Sequence, residues 1–453
     1  MLNGTKIIKS KAALSIYLFA VIFAPPITPQ FNLLVALCSG VWLAVCNSIN
    51  IRYYLQKTGL LALGGFCIYL IHIVFQRIIS YVIFDDAVNS SHYISLYNRI
   101  IVLLIVMLPC SITFLNGARR KDLTLNDMIE VIIWAGILET ITCVLAFAFP
   151  DIKMFFNNLA LMNTGEEFNK WYITVRSYGF ARTLVDVYGW GTGITAGISL
   201  IYGVYVKKEY IFYSVFLLIA PLLNARTGLV IYALALGIIS VFVVVRLEIK
   251  KIGRIFFTAM AIVALYFLFW PIAEKNYPMT INWIEEGIED FVHLLFSEKD
   301  LKVTGFAKTL QVKNSWMLPE YPRILFGTGH SRYEALGYMH TDFGYVNDIW
   351  AGGMIGVIFL YGSLAYFSIK NIKKVSGAYY LILIYTLFSF FIFNIKACAV
   401  GYNPGTAIYI LIVCAINFNT AQQNDLVAAM LRRMKFMPVR YSQIWYIQNT
   451  EQK

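Results

Sequence analysis

Long apolar runs separated by short polar stretches set the pattern of this chain. They fall near 12–27, 31–48, 58–76, 99–116, 128–149, 184–206, 210–224, 227–246, 255–272, 345–369, 377–396 and 404–418. A helix needs about 20 apolar residues to cross a bilayer and satisfies its backbone within itself. The pattern therefore predicts an all-α integral membrane protein with about twelve transmembrane helices; the runs at 210–224 and 404–418 are the shortest. Two polar passages are long, about 150–183 and 273–343. Loops of that length between spans are usually functional or disordered, and the Trp, Tyr and Phe in both favour order. Within the second, Thr280–Phe296 puts Ile284, Ile288, Phe291 and Leu295 on one helical face and Glu285, Glu286, Glu289 and Asp290 on the other. Such a helix suits a membrane surface or the cap of a bundle. No internal repeat or second domain is visible: residues 1–418 form one membrane domain and 419–453 a tail whose Arg432, Arg433 and Lys435 suit anionic headgroups.

Composition agrees with the pattern. Hydrophobic residues make up 59% of the chain, charged residues 14%, and the mean hydropathy is +0.66. An ordinary soluble domain has about 25% charged residues. Charge also orients the spans. With the amino terminus inside, the inner segments hold 22 of the 37 Lys and Arg and 6 acidic residues, and the outer segments hold 15 and 17. Arg119-Arg120-Lys121, Lys207-Lys208 and Lys373-Lys374 all fall on inner loops, as the positive-inside rule requires. Both termini are thus expected in the cytoplasm. The +12 net charge follows from topology and calls for no nucleic acid. The seven cysteines lie in or beside apolar runs without CxxC spacing, which argues against a disulfide framework or a cysteine metal site. Pro25 and Pro26 follow the first run where a cleavage site would need small residues, so an uncleaved first span is expected.

Candidate chemistry is narrow. Neither GxxxxGK[ST], HExxH nor GxSxG occurs. Asp342 and Asp348 are six residues apart, about 120° around a helix, which does not suit a divalent metal. The most unusual passage is Phe326–Gly356, FGTGHSRYEALGYMHTDFGYVNDIWAGGMIG, where glycines, His340 and Asp342 run straight into an apolar segment. The other candidates are cations at the outer ends of spans: Arg176 and Arg182 before the sixth, Arg226 in the NART turn between the seventh and eighth, and Arg323 and Arg332 in the second long loop. A guanidinium at such depth is costly unless paired or holding an anion, and its fork matches phosphate bidentately. Plainer readings stand beside these. Arg226 can be a snorkelling anchor, although its tight turn leaves little room. Arg176 and Arg182 can form loop salt bridges, His340 can be a polar residue leading into a helix, and Asp342 can cap one. Glu139, deep in the fifth run, is either functional or a neutral, hydrogen-bonded carboxyl.

Several of these features together resemble the O-antigen polymerases of the O-antigen ligase/polymerase superfamily. They are the twelve runs with both ends inside, long outer loops after the fifth and ninth, and the Arg226-Thr227-Gly228 turn opening a span. To these is added the passage Gly327, Gly329, His340, Asp342, Gly344, leading to Gly352, Gly353 and Gly356. An arginine–ten residues–glycine spacing described for such loops is met by Arg182 and Gly193; Arg332 to Gly344 departs from it with eleven. The likeness covers most of the chain in architecture and two short patches in sequence.

The resemblance implies a GT-C-like fold in a bacterial inner membrane, with the active site on the periplasmic face and no cofactor or metal. Donor and acceptor would both be glycans on undecaprenyl pyrophosphate, amid membrane lipids, with a chain-length-regulating membrane protein as a further partner. The acceptor hydroxyl would attack the donor's anomeric carbon with inversion. Arg226, Arg182, Arg176 and Arg332 would hold pyrophosphate, and His340 with Asp342 the acceptor. Two rivals remain at this stage: an O-antigen ligase passing the glycan to lipid A–core, and a repeat-unit flippase, for which charged mid-membrane groups and inverted repeats would be expected.

Overall fold

The computed structural model describes residues 2–45, 50–84, 93–164, 176–182, 185–224, 226–276, 316–330, 343–370 and 372–435, with isolated positions between 278 and 289. Regular structure among them is entirely helical. The main helices are α1 (Leu2–Phe23), α2 (Phe31–Val45), α3 (Ile51–Thr58), α4 (Gly64–Phe84), α5 (Tyr93–Arg120), α6 (Leu125–Ala148), α7 (Pro150–Thr164), α8 (Val185–Tyr205), α9 (Tyr210–Leu217), α10 (Ile219–Asn224), α11 (Arg226–Val245), α12 (Ile249–Asn276), α13 (Arg323–Phe326), α14 (Gly344–Ile369), α15 (Gly377–Lys396) and α16 (Pro404–Lys435).

Among the described residues each predicted apolar run falls mainly on helix, and seven stretches are long and apolar enough to cross a membrane. The chain is thus an α-helical, multi-pass membrane protein. Those seven are Leu60–Ile79, Arg99–Arg120, Leu125–Ala148, Thr227–Val245, Gly344–Lys374, Gly377–Lys396 and Pro404–Asp425. Phe31–Val45 and Tyr210–Asn224 are apolar but shorter. At 1.5 Å per residue, 15 residues reach about 22 Å, less than the ~30 Å hydrocarbon thickness.

Local signals set several boundaries. Thr124 and Asp127 form a reciprocal cap on α6, with Asp127 N donating to Thr124 Oγ1 at 3.2 Å and Thr124 N to Asp127 Oδ2 at 2.9 Å. Pro150 and Asp151 open α7, so the first part of the expected outer loop 150–183 is helical. The tail expected from residue 419 begins as a straight continuation of α16. Of Thr280–Phe296, Glu285, Glu286 and Glu289 are exposed, while the neighbouring Ile281 packs with Phe147, Ile219 and Leu223; Ile284, Ile288, Asp290, Phe291, His293 and Leu295 lie outside the described residues.

The bundle is organised around α8 and α16. In α16, 89% of its most apolar window is buried, against 28% for Leu60–Ile79, which places one at the centre and the other at the rim. α8 is glycine-rich, and its neighbours come very close. A Cβ on Gly193 would lie 2.4 Å from the Gly228 carbonyl oxygen of α11, one on Gly191 2.3 Å from Pro404 Cβ of α16, and one on Gly197 2.2 Å from the Tyr385 hydroxyl of α15. Small residues that let backbones approach are the usual means of helix association without water.

Candidate functional site

The polar side chains gather at two ends of the bundle. One end joins the start of α6 to the end of α8: Lys11 meets Glu130 and Asp127, and Lys207 meets Glu130. The other end joins the close of α1 to the starts of α2, α8 and α11, and holds the candidate cations. There Arg176–Arg182 is a non-helical coil, yet Arg176, Ser177, Tyr178 and Ala181 are buried. Non-helical backbone is tolerated at membrane depth only where protein buries it or it lines a cavity.

Arg182 is half-buried at the end of this coil. Its backbone N–H donates to the Phe23 carbonyl at 3.1 Å, and Nη1 donates to Asn32 Oδ1 at 3.2 Å. Among the described residues no carboxylate pairs with it; its charge meets the Asn32 amide and lies near the Tyr402 phenol. Burial pulls the guanidinium below its ordinary value, against a smaller opposing influence from Tyr402. Arg176 donates from Nη1 to the Tyr178 hydroxyl at 3.1 Å. The described side-chain hydrogen bonds of both arginines reach neutral oxygens, the Tyr178 hydroxyl and the Asn32 amide.

Four residues beyond Arg182, Asp186 sits in the first turn of α8. It accepts from Thr227 Oγ1 at 2.8 Å and lies 3.6 Å from Lys396 Nζ at the end of α15. Because Thr227 follows Arg226, this bond ties the start of α11 to the start of α8. The fold thus brings the backbone positions of Arg182 and Arg226 to one end, with Lys396 beside them. Arg332, His340 and Asp342 lie outside the described residues.

The described part of Phe326–Gly356 has a clear structural role. α14 breaks at Gly353, whose φ of 63° suits glycine. The carbonyls freed by the break accept from elsewhere: Trp350 O from Thr328 N at 2.8 Å and Ala351 O from Gly329 N at 2.9 Å. His72 Nε2 bridges Phe326 O at 3.1 Å and Gly352 O at 2.9 Å. The FGTGH segment is docked into a broken helix. One turn before the break, Asp348 is buried against Tyr361 and Asn394, whose amide nitrogen is 3.4 Å away, while Asn394 Oδ1 takes the Ala399 N–H at 2.7 Å.

Sequence reasoning missed Asp186, Lys396 and the Asp348–Tyr361–Asn394 group as parts of this end. Asp186 carried a signal, four residues after Arg182 at a helix start. Tyr361 and Asn394 carried none, because they join only when α14 and α15 pack. Among the described residues, no three His, Cys, Asp or Glu side chains converge as a metal would require. No protein-family model matches the chain, and no curated protein matches it in sequence.

Proposed function

We propose that this protein is a twelve-span membrane glycosyltransferase of the O-antigen polymerase type. It joins repeat units carried on undecaprenyl pyrophosphate at the outer face of a bacterial inner membrane, with both termini in the cytoplasm. The observation that supports this reading is Arg182: a half-buried guanidinium held by Asn32, on a backbone fixed by the Phe23 carbonyl, with no described carboxylate to neutralise it. A cation in that setting is ready for an anion, and guanidinium geometry favours a phosphate.

In this reading the acceptor hydroxyl attacks the donor's anomeric carbon and the bond to the pyrophosphate oxygen breaks. The electron pair leaves on undecaprenyl pyrophosphate, and the hydroxyl proton passes to His340 or Asp342. Arg182 and Arg226, assisted by Arg176 and Arg332, stabilise charge on the departing oxygen. Fixed donors in a site poor in water are effective at this because they need little reorganisation. Holding the hydroxyl in line supplies the remainder.

The test is lipopolysaccharide analysis in cells lacking their own copy. Arg182→Ala and Arg226→Ala are expected to remove the polymer ladder and leave core bearing one repeat unit. Arg182→Lys is expected to recover only part of it, because a point charge does not reproduce the fork. Unchanged polymer length in both alanine variants would sink the assignment. Bare core with polymer left on the carrier would identify a ligase, and a carrier-linked sugar moved across liposomes without lengthening would identify a transporter.

A further inference from the structure

Glu139 is the deepest carboxylate in α6 and is completely buried. Both of its oxygens have partners: the Tyr188 hydroxyl of α8 donates to Oε1 at 2.8 Å, and the Thr142 hydroxyl, shared with the Glu139 main-chain carbonyl at 2.8 Å, lies 3.2 Å from Oε2. A carboxyl that only filled space would be replaced at lower cost by leucine, since burying it demands that its lone pairs be met.

What these groups touch next explains its presence. Thr142 Oγ1 accepts the Phe180 N–H at 2.9 Å. A Cβ on Gly179 would stand 2.4 Å from Glu139 Oε1 and 2.3 Å from Thr142 Oγ1, so the backbone of the coil lies directly on the carboxyl. Tyr178 packs edge-on against Tyr188 at 5.5 Å. Tyr188 also contacts Cys143 Sγ at 2.6 Å, and Cys143 in turn meets the Asn224 amide at 3.5 Å, two residues before Arg226. One buried group therefore touches the middle of the Arg176–Arg182 coil, the wall of α8 and the approach to α11.

We infer that Glu139 is a positioning residue that pins the Arg176–Arg182 coil to α6 and α8 and so sets where the Arg182 guanidinium stands. This rests on the reading of Arg182 as a pyrophosphate ligand, and the test separates the two. Ser177 is fully buried in the coil, and no described partner bonds its hydroxyl, so Ser177→Cys is a mild change that reports on the coil itself. Labelling of that thiol by a membrane-impermeant maleimide is compared with the parent protein, whose own cysteines set the baseline, and polymer formation is measured in the same membranes.

Glu139→Leu is expected to make the Ser177→Cys thiol reactive and to lower polymer formation about a hundredfold, the scale associated with ångström-sized misplacement. Glu139→Gln, which keeps an acceptor for Tyr188 and a donor for Thr142, is expected to keep the thiol protected and polymer formation near the parent level. Thr142→Val removes only the hydroxyl that holds Phe180; it is expected to give intermediate labelling, and it decides the matter if Glu139→Leu fails to reach the membrane. A protected thiol with full polymer formation in Glu139→Leu, or in Thr142→Val when that variant decides, would overturn the inference. So would loss of polymer in Glu139→Gln with the thiol protected, because the carboxyl would then act by its charge. A reactive thiol with unchanged polymer would support the pinning and instead remove the coil's arginines from the proposed chemistry.

Discussion

Glu130 holds two cations on one carboxylate. Lys11 Nζ donates to Oε2 at 2.7 Å, Lys207 reaches Oε1, and the Tyr202 hydroxyl donates to Oε1 at 2.9 Å. Its side chain is 5% exposed and that of Lys11 14%, whereas Lys207 is 42% exposed and can turn to water. Removing one partner of a buried pair costs about 3–5 kcal/mol when the other charge is stranded. With Asp127 still beside Lys11 and Lys207 half in solvent, Glu130→Ala should cost less, about 2–3 kcal/mol. A lowered thermal midpoint of the purified protein in detergent checks this, and an unchanged midpoint would mean that the cluster contributes nothing. Glu130 and Glu139 both stand within α6 in the sequence, but only their neighbours separate them. One joins helices through ion pairs, and the other meets hydroxyls and a coil backbone.

At the scale of elements, the closest joint is α8 against α11. An added methyl at Gly193 would meet the Gly228 carbonyl oxygen at 2.4 Å and its Cα at 2.7 Å, and neither atom can rotate away. Gly193→Ala should therefore push the helices apart and sharply reduce the yield of monodisperse protein in size-exclusion chromatography. Gly237→Ala in α11, where nothing lies within 4 Å, should leave that yield unchanged or raise it. Equal behaviour of the two variants would contradict the packing. The break in α14 follows a different logic. Gly352-Gly353 is legible as a weak point in the sequence, and Gly327-Thr328-Gly329 as a turn. That the turn supplies the hydrogen bonds the broken helix lacks is a matter of two segments meeting, and no local pattern announces it.

For the whole molecule, the Lys11–Glu130–Lys207 contacts and the Phe23–Arg182–Asn32 contacts stand at opposite ends of the bundle, and the proposed orientation puts the first end in the cytoplasm. If the proposed orientation is right, Asp151→Cys, at an exposed position opening α7, should react with an impermeant maleimide in intact cells. Lys208→Cys, exposed beyond α8, should react only after permeabilisation. The opposite pattern would invert the topology and move the arginine end into the cytoplasm.

Hydropathy determined by itself that this is a helical membrane protein, because a bilayer makes long apolar runs helical wherever they occur. It also marked Arg176, Arg182 and Arg226 as cations at span ends. Tertiary structure decided the rest. The stretch holding Arg176 and Arg182, expected as the end of a long outer loop, is a buried coil because Glu139, Thr142 and Tyr188 from two helices receive its backbone and side chains. Which polar residues share one end depends on contacts between segments far apart in sequence, such as Asp186 with Lys396 and Asp348 with Asn394. Such contacts form only when α8 and α14 pack against α15, so no reading of periodicity within one segment contains them.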